Sequence, residues 1–192
     1  MVRSLIQTTD AVSARDAWSY WKDTVLPTIE GIRVVEDRPF GTQRNITALT
    51  GGIIVDIASS PVLVHRSAQR LAHDYAGYVA LTLFVKGHGL TDPRDIRGAS
   101  LARGDVALCN LSRLYKSTGL TDYRELRFYM PRSSFGDKIG DVEDMIALKI
   151  PNTLPLASLP LNILKYFLTC CQSCRKKKLM PVSMELFTFF HS

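Results

Sequence analysis

Nowhere does this chain of 192 residues run through the ~18 consecutive apolar residues that a helix needs to span a bilayer. A helical membrane protein is therefore not expected. The N-terminus carries Arg3 but lacks the cationic, apolar and small-residue succession of a secretory signal, so the expected compartment is the cytoplasm. Cysteine is scarce. Of four, Cys109 stands alone, and Cys170, Cys171 and Cys174 are too crowded to build a disulfide framework. The four histidines, His65, His73, His88 and His191, include no H-x-H pair and none has a glutamate a few residues on, so the usual ligand set of a metal enzyme is missing. There is no Gly-x-Ser-x-Gly elbow and no phosphate-binding glycine loop. Gly87-His88-Gly89 reads as a turn after a strand, with no third glycine and no helix behind it. The expectation from these gaps is a protein that is not an enzyme and carries no cofactor.

Strong positive charge on the body of the chain is also lacking. The formal net charge is +6, but Lys165, Arg175, Lys176, Lys177 and Lys178 against Glu185 put +4 of it after residue 160. The remainder, +2, gives the main body no strong electrostatic claim on nucleic acid. No internal repeat or low-complexity tract is visible.

What is present is a change of period. Residues 13–26 read as a helix: Ser13 can cap it, Asp16 favours the positive end of its dipole, and Ala14, Ala17, Trp18, Trp21 and Val25 form one apolar stripe closed by Pro27. From Gly31 the period falls to two. Strands are expected at 32–35, 53–58, 61–66, 78–86, 106–109 and 126–130, the fifth fed by a turn at Arg103-Gly104-Asp105 and the last stopped by Pro131. Short, turn-punctuated strands with few helices between them imply an antiparallel barrel or sandwich. In the longest strand Val79, Leu81, Leu83 and Val85 share a wholly apolar face, while Tyr78, Ala80, Thr82, Phe84 and Lys86 share a mixed one. A small barrel with a partly polar interior would give such a mixed face and could hold a ligand. A sheet whose second face is covered by the N-terminal helix would give it too. After Pro131 a short helix is expected over 134–139. The strongly apolar run 154–171 then has Leu161, Leu164, Lys165 and Leu168 at helical spacing, with Ile163 and Phe167 on an adjoining face.

The runs AHDYAGYVALTLFVKGHGLT, LARGDVALCN and YRELRFYMPRSSFGDKIG, with the opening helix that carries Trp18 and Trp21, resemble the N-terminal sensor domain of AraC-type transcriptional regulators. The resemblance covers roughly residues 10–165 and rests on the order of the motifs. One departure is at Leu114-Tyr115, where family members often have a proline before the tyrosine. The resemblance implies a cupin-like antiparallel β-barrel that binds a small effector, an α+β but mainly β fold with an N-terminal helix and C-terminal dimerisation helices. It implies residues 1–150 as the sensor barrel and 151–192 as a helical dimerisation segment with an atypical tail. DNA would be bound only through a helix-turn-helix domain of on the order of 100 residues, for which this chain has no room. The expectation is thus a bacterial regulator truncated before its DNA-binding half.

Within that frame the expected ligand-binding residues are Arg66, Tyr78, Thr82, Phe84 and Arg127, polar or aromatic positions on strand faces otherwise given to core. An arginine offers a bidentate grip on a carboxylate. The expected dimerisation residues are Leu161, Leu164, Lys165 and Leu168, with a homodimer and a small-molecule effector as partners and no membrane. The stretch TCCQSCRKKK reads as a helix end rather than a metal knuckle. A zinc site needs four ligands in tetrahedral array, and Cys170, Cys171, Cys174 and His191 would have to supply them from adjacent cysteines. The lysines and Arg175 suit a helix C-terminus. The tail with Phe187, Phe189 and Phe190 has no evident partner and fits a frameshift or premature stop. Two alternatives remain: a cupin-like metal-dependent enzyme, and a free-standing small-molecule binding protein.

Overall fold

The computed structural model describes residues 3–25, 30–49, 51–66, 77–92, 99–110, 115–134 and 149–153. The elements there, in chain order, are β1 (Arg3–Thr8), α1 (Ala17–Val25), β2 (Glu30–Arg33), β3 (Thr42–Leu49), β4 (Gly52–Ser59), β5 (Val62–Arg66), β6 (Tyr78–Lys86), β7 (Gly89–Asp92), β8 (Ala99–Leu101), β9 (Val106–Asn110), β10 (Tyr115–Gly119), β11 (Tyr123–Pro131) and β12 (Lys149–Ile150). Seven strands form one sheet in the order β1-β3-β4-β11-β6-β9-β12, and five form a second in the order β2-β5-β10-β7-β8. Every pairing is antiparallel. The sheets face each other across a shared core and are not joined into one closed hydrogen-bonded ring among the described residues.

That core explains the two faces of β6. Phe84 packs with Val55 and Ile57 of β4, Val62 and Val64 of β5, Leu101, Ala107 and Tyr123, drawing on both sheets. Alternation along a strand then places Thr82, Ala80 and Tyr78 on the same inward side. The apolar face is the outer one: Leu83 joins Val106 and Leu126 in a second cluster, with Leu81, Val85, Phe128 and Ile150 against it. The mixed face therefore looks between the sheets.

The helix also reaches that space. Trp21 is buried in the inner core, stacked on Trp18 at 5.1 Å between centroids and tilted against Phe40 at 5.1 Å. The helix thus packs into that interior, as the reading of a face covered by the N-terminal helix expects. The helix begins at Ala17, later than its sequence pattern implies. Ser13 does make the capping contact, its hydroxyl accepting from Asp16 N at 3.3 Å and donating to Asp16 Oδ2 at 2.6 Å, and its carbonyl accepts from Ala17 N at 3.0 Å. They close a turn ahead of the helix rather than its first turn.

The turn at Gly104-Asp105 forms as expected. Gly104 has φ +90°, which a side chain would strain, and Asp105 Oδ2 accepts from Ala102 N at 2.9 Å. Strand β2 sits two residues earlier than its pattern indicates, and β11 extends three residues further back, to Tyr123. Strands β1, β3, β7, β8, β10 and β12 lie outside the strands that the sequence pattern implies. The short helix expected over 134–139 has one described counterpart, a 3-10 turn at Arg132–Ser134. The run 154–171, with its dimerisation positions, lies outside the described residues.

Candidate ligand site between the sheets

Cross-strand register assembles the inner face of the large sheet row by row. Arg44 of β3 is opposite Ile57, which is opposite Glu125, which is opposite Phe84. The next row runs Ile46, Val55, Arg127, Thr82, Ala107. The row beyond it runs Ala48, Ile53, Tyr129, Ala80, Cys109. Tyr78 follows, opposite Pro131.

Exposure rises along these rows. Glu125 is 1% exposed and Arg127 9%, while Tyr129, on the same side of β11, is half-buried. On β6 Phe84, Thr82 and Ala80 are buried and Tyr78 is half-buried. On β9 Ala107 is buried and Cys109 is half-buried. The interior is thus sealed at the Phe84 end and opens toward Tyr78, Tyr129 and Cys109.

The sealed end is aromatic. Phe84 and Tyr123 stack at 6.1 Å, and each ring lies over a glycine of the small sheet. A Cβ on Gly89 would come within 2.5 Å of Phe84 Cζ, and one on Gly119 would strike the Tyr123 ring. Glycine at these two positions lets the rings close the floor.

The polar middle is held by an ion pair. Arg127 Nε lies 2.8 Å from Glu125 Oε1. The approach is off the line of an aligned hydrogen bond, so this contact is chiefly Coulombic. Either charge alone at that depth would carry a desolvation penalty of several kcal/mol. Neighbouring groups register the field. Burial, then the Glu125 carboxylate, pushes the Tyr123 phenol well above its usual value against Arg127, a hydrogen bond with Ser59, and Arg44. Burial also raises the Cys109 thiol, with Arg127 and a hydrogen bond from Thr82 opposing and Glu125 adding. Cys109 as a residue is half-buried, and desolvation is the largest influence on its thiol.

Of the expected ligand residues, the structure brings Thr82, Phe84, Arg127 and Tyr78 to this inner face. Arg66 is the last residue of β5, in register with Tyr115. Leu161, Leu164, Lys165 and Leu168 lie outside the described residues, as do His73, His191 and the clustered cysteines. His65 belongs to the outer side of β5, 3.2 Å from Glu30, and His88 is exposed in a turn. Among the described residues no three His, Cys, Asp or Glu side chains gather as metal ligands. Sequence reasoning missed Arg44, Cys109, Tyr129 and above all Glu125. Starting the last strand at Leu126 left Glu125 in a charged connector. The alternation Tyr123, Glu125, Arg127, Tyr129 was the available signal.

Outside this space, Asp56 takes two hydrogen bonds from Arg124, at 2.9 and 2.8 Å, and raises the Arg124 pKa. Asp105, buried in its turn, pairs with Lys149 at 2.8 Å. Burial alone would raise its pKa, but Lys149 and the backbone N–H groups of Ala102 and Asn152 outweigh it and hold the carboxyl below its usual value.

The elements and their pairing define the class of fold: mainly β and cupin-like, two facing antiparallel sheets with one α-helix among the described residues. Among solved structures, the AraC-like transcriptional activator CuxR shares this arrangement, with a TM-score of 0.76 at 18% identity over 86% of this chain. The match covers 60% of CuxR, so this chain spans less than two thirds of that protein. KdgF from Halomonas sp. lies much farther off, at TM-score 0.37 and 18% identity over 55% of this chain and 89% of its own. Ectoine synthase from P. lautus is equally distant, at 0.36 and 11% over 62% and 82%. No family model matches the sequence, and no curated protein matches it. Among the described residues no helix is long and apolar enough to cross a membrane.

Proposed function

We propose that the chain is the effector-sensing part of an AraC-type transcriptional regulator, a cytoplasmic binding module and not an enzyme. The observation that carries this reading is the polar inner face around Thr82 and Arg127, within a fold shared with an AraC-like activator over most of the chain. A buried charge pair is weak support for stability in its own right, because well-packed apolar residues often do as well. A few polar groups on an otherwise apolar inner face are what fix a ligand's orientation in a binding site.

In this reading a small molecule enters past Tyr78 and Tyr129. It biases the arrangement of two subunits by binding one arrangement more tightly than the other. The subunits associate through the segment carrying Leu161, Leu164, Lys165 and Leu168, and DNA contact belongs to a helix-turn-helix domain outside this chain. The test is thermal unfolding against a panel of neutral, anionic and cationic metabolites. At least one should raise the midpoint of the wild type, by about 2.7 kcal/mol of added stability at a hundred times its Kd. The same compound should do much less for Thr82→Val, which keeps the shape and removes the hydroxyl. No stabiliser in the panel, or equal stabilisation of the variant, speaks against a sensor built on this face.

A further inference from the structure

The inner face already holds a carboxylate, and what holds it defines the chemistry the site accepts. Glu125 lies in one row with Arg44, two strands away, and Arg127 is two residues further along the same side of β11. Two guanidinium positions therefore share the inner face with one carboxylate, Arg127 in contact with it and Arg44 two strands away with Ile57 between. The Tyr123 phenol, at the sealed end, feels the charge of each of the three groups. Asp105 and Lys149 pair with each other elsewhere and add no net charge to this cluster. Across the gap, Val62, Val64, Thr91, Ser117 and Leu101 of the small sheet carry no charge. Arg33, in register with Val62, is turned to backbone carbonyls of Glu36 and Arg38. Toward the opening the surroundings turn to Tyr129, Tyr78 and Ile53, half-buried aromatic and branched apolar side chains.

We infer that the site binds a small monocarboxylate with an aromatic or branched apolar body. The ligand carboxylate joins or replaces Glu125 at Arg127, with Arg44 across from it, and the apolar body lies toward Tyr129 and Tyr78. This deepens the sensor reading above and rests on it. Arginine's planar fork matches a carboxylate, and charge-assisted contacts are roughly twice as strong as neutral ones. Glu125 then acts as an internal competitor: it occupies Arg127 in the empty protein and repels an arriving anion.

The test is calorimetric titration with two matched probe pairs, benzoate against benzamide and isovalerate against isovaleramide, on the wild type, Glu125→Gln, Arg127→Gln and Arg127→Lys. Circular dichroism of each variant checks its fold, and Arg127→Lys keeps the charge should Arg127→Gln unfold. At least one carboxylate should bind the wild type about tenfold or more tightly than its amide. Glu125→Gln should tighten carboxylate binding several-fold, roughly, and leave the amide unchanged, since only the anion meets the Glu125 charge. Arg127→Lys should weaken it by about tenfold through loss of the fork. Amides binding as tightly as acids would overturn the ligand class and leave the sensor reading standing. So would the absence of binding by all four probes at about 10 mM, a Kd range in which any useful grip is visible, because the metabolite panel decides the sensor reading separately. Tighter amide binding in Glu125→Gln would also overturn it, since the gain would then not depend on the charge of the ligand.

Discussion

Asp105 shows how a single side chain carries a measurable consequence. It is buried, pairs with Lys149 at 2.8 Å, and accepts from Ala102 N at 2.9 Å and Asn152 N at 3.2 Å. Its folded-state pKa lies below the usual 3.8. A carboxyl depressed on folding contributes stability above its unfolded value and loses that contribution as pH falls through the folded one. Asp105→Asn should therefore cost about 1–3 kcal/mol at neutral pH, the range for a lost charged hydrogen-bonding group. In urea titrations the gap between variant and wild type should close as pH drops below 3.8. A gap that is the same at pH 7 and pH 3 would mean that the charge contributes nothing. The sequence marked this residue only as part of a turn. Its partner Lys149 is 44 positions away, a pairing that local spacing does not carry.

At the scale of elements, the strands easiest to read were those with the cleanest alternation. Strand β6 has the bounds its sequence implied, because each face has a uniform job: one packs outward with Val106 and Leu126, the other faces the interior. Strands β3 and β10, TQRNITAL and YKSTG, are polar enough to pass for loops. Their partners decide their state: β3 lies between β1 and β4, and β10 between β5 and β7. Tertiary pairing overrides weak strand propensity. Strand β11 was cut short by the same polarity, and that cut hid Glu125. Another element-scale expectation concerns the segment with Leu161, Leu164, Lys165 and Leu168. Leu164→Asp puts a charge at the centre of an apolar stripe, so a dimer that uses the stripe should fall to a monomer at micromolar concentration in light-scattering chromatography. A dimer that survives the change would place the stripe within its own subunit.

For the molecule as a whole, composition excluded more than it located. The fold class was legible from period-two patterning and turn spacing, and the facing sheets bear it out. The candidate site was half legible. Thr82, Phe84, Tyr78 and Arg127 share one face through alternation alone, whereas Arg44 and Cys109 join them only through registers between strands distant in sequence. Cys109, half-buried on the inner face, is the probe for a ligand between the sheets. With Cys170, Cys171 and Cys174 changed to serine, Cys109 is the one thiol left. Its raised pKa should make alkylation slower at pH 7 than for a free cysteine, with a rate that climbs as pH rises through 9. The most direct measurement is that rate with and without a saturating carboxylate or metabolite found to stabilise the protein. Bound ligand should slow labelling about tenfold or more, following the fraction of sites left empty. Labelling at an unchanged rate, with the ligand still raising the melting temperature, would place the binding site somewhere other than between the sheets.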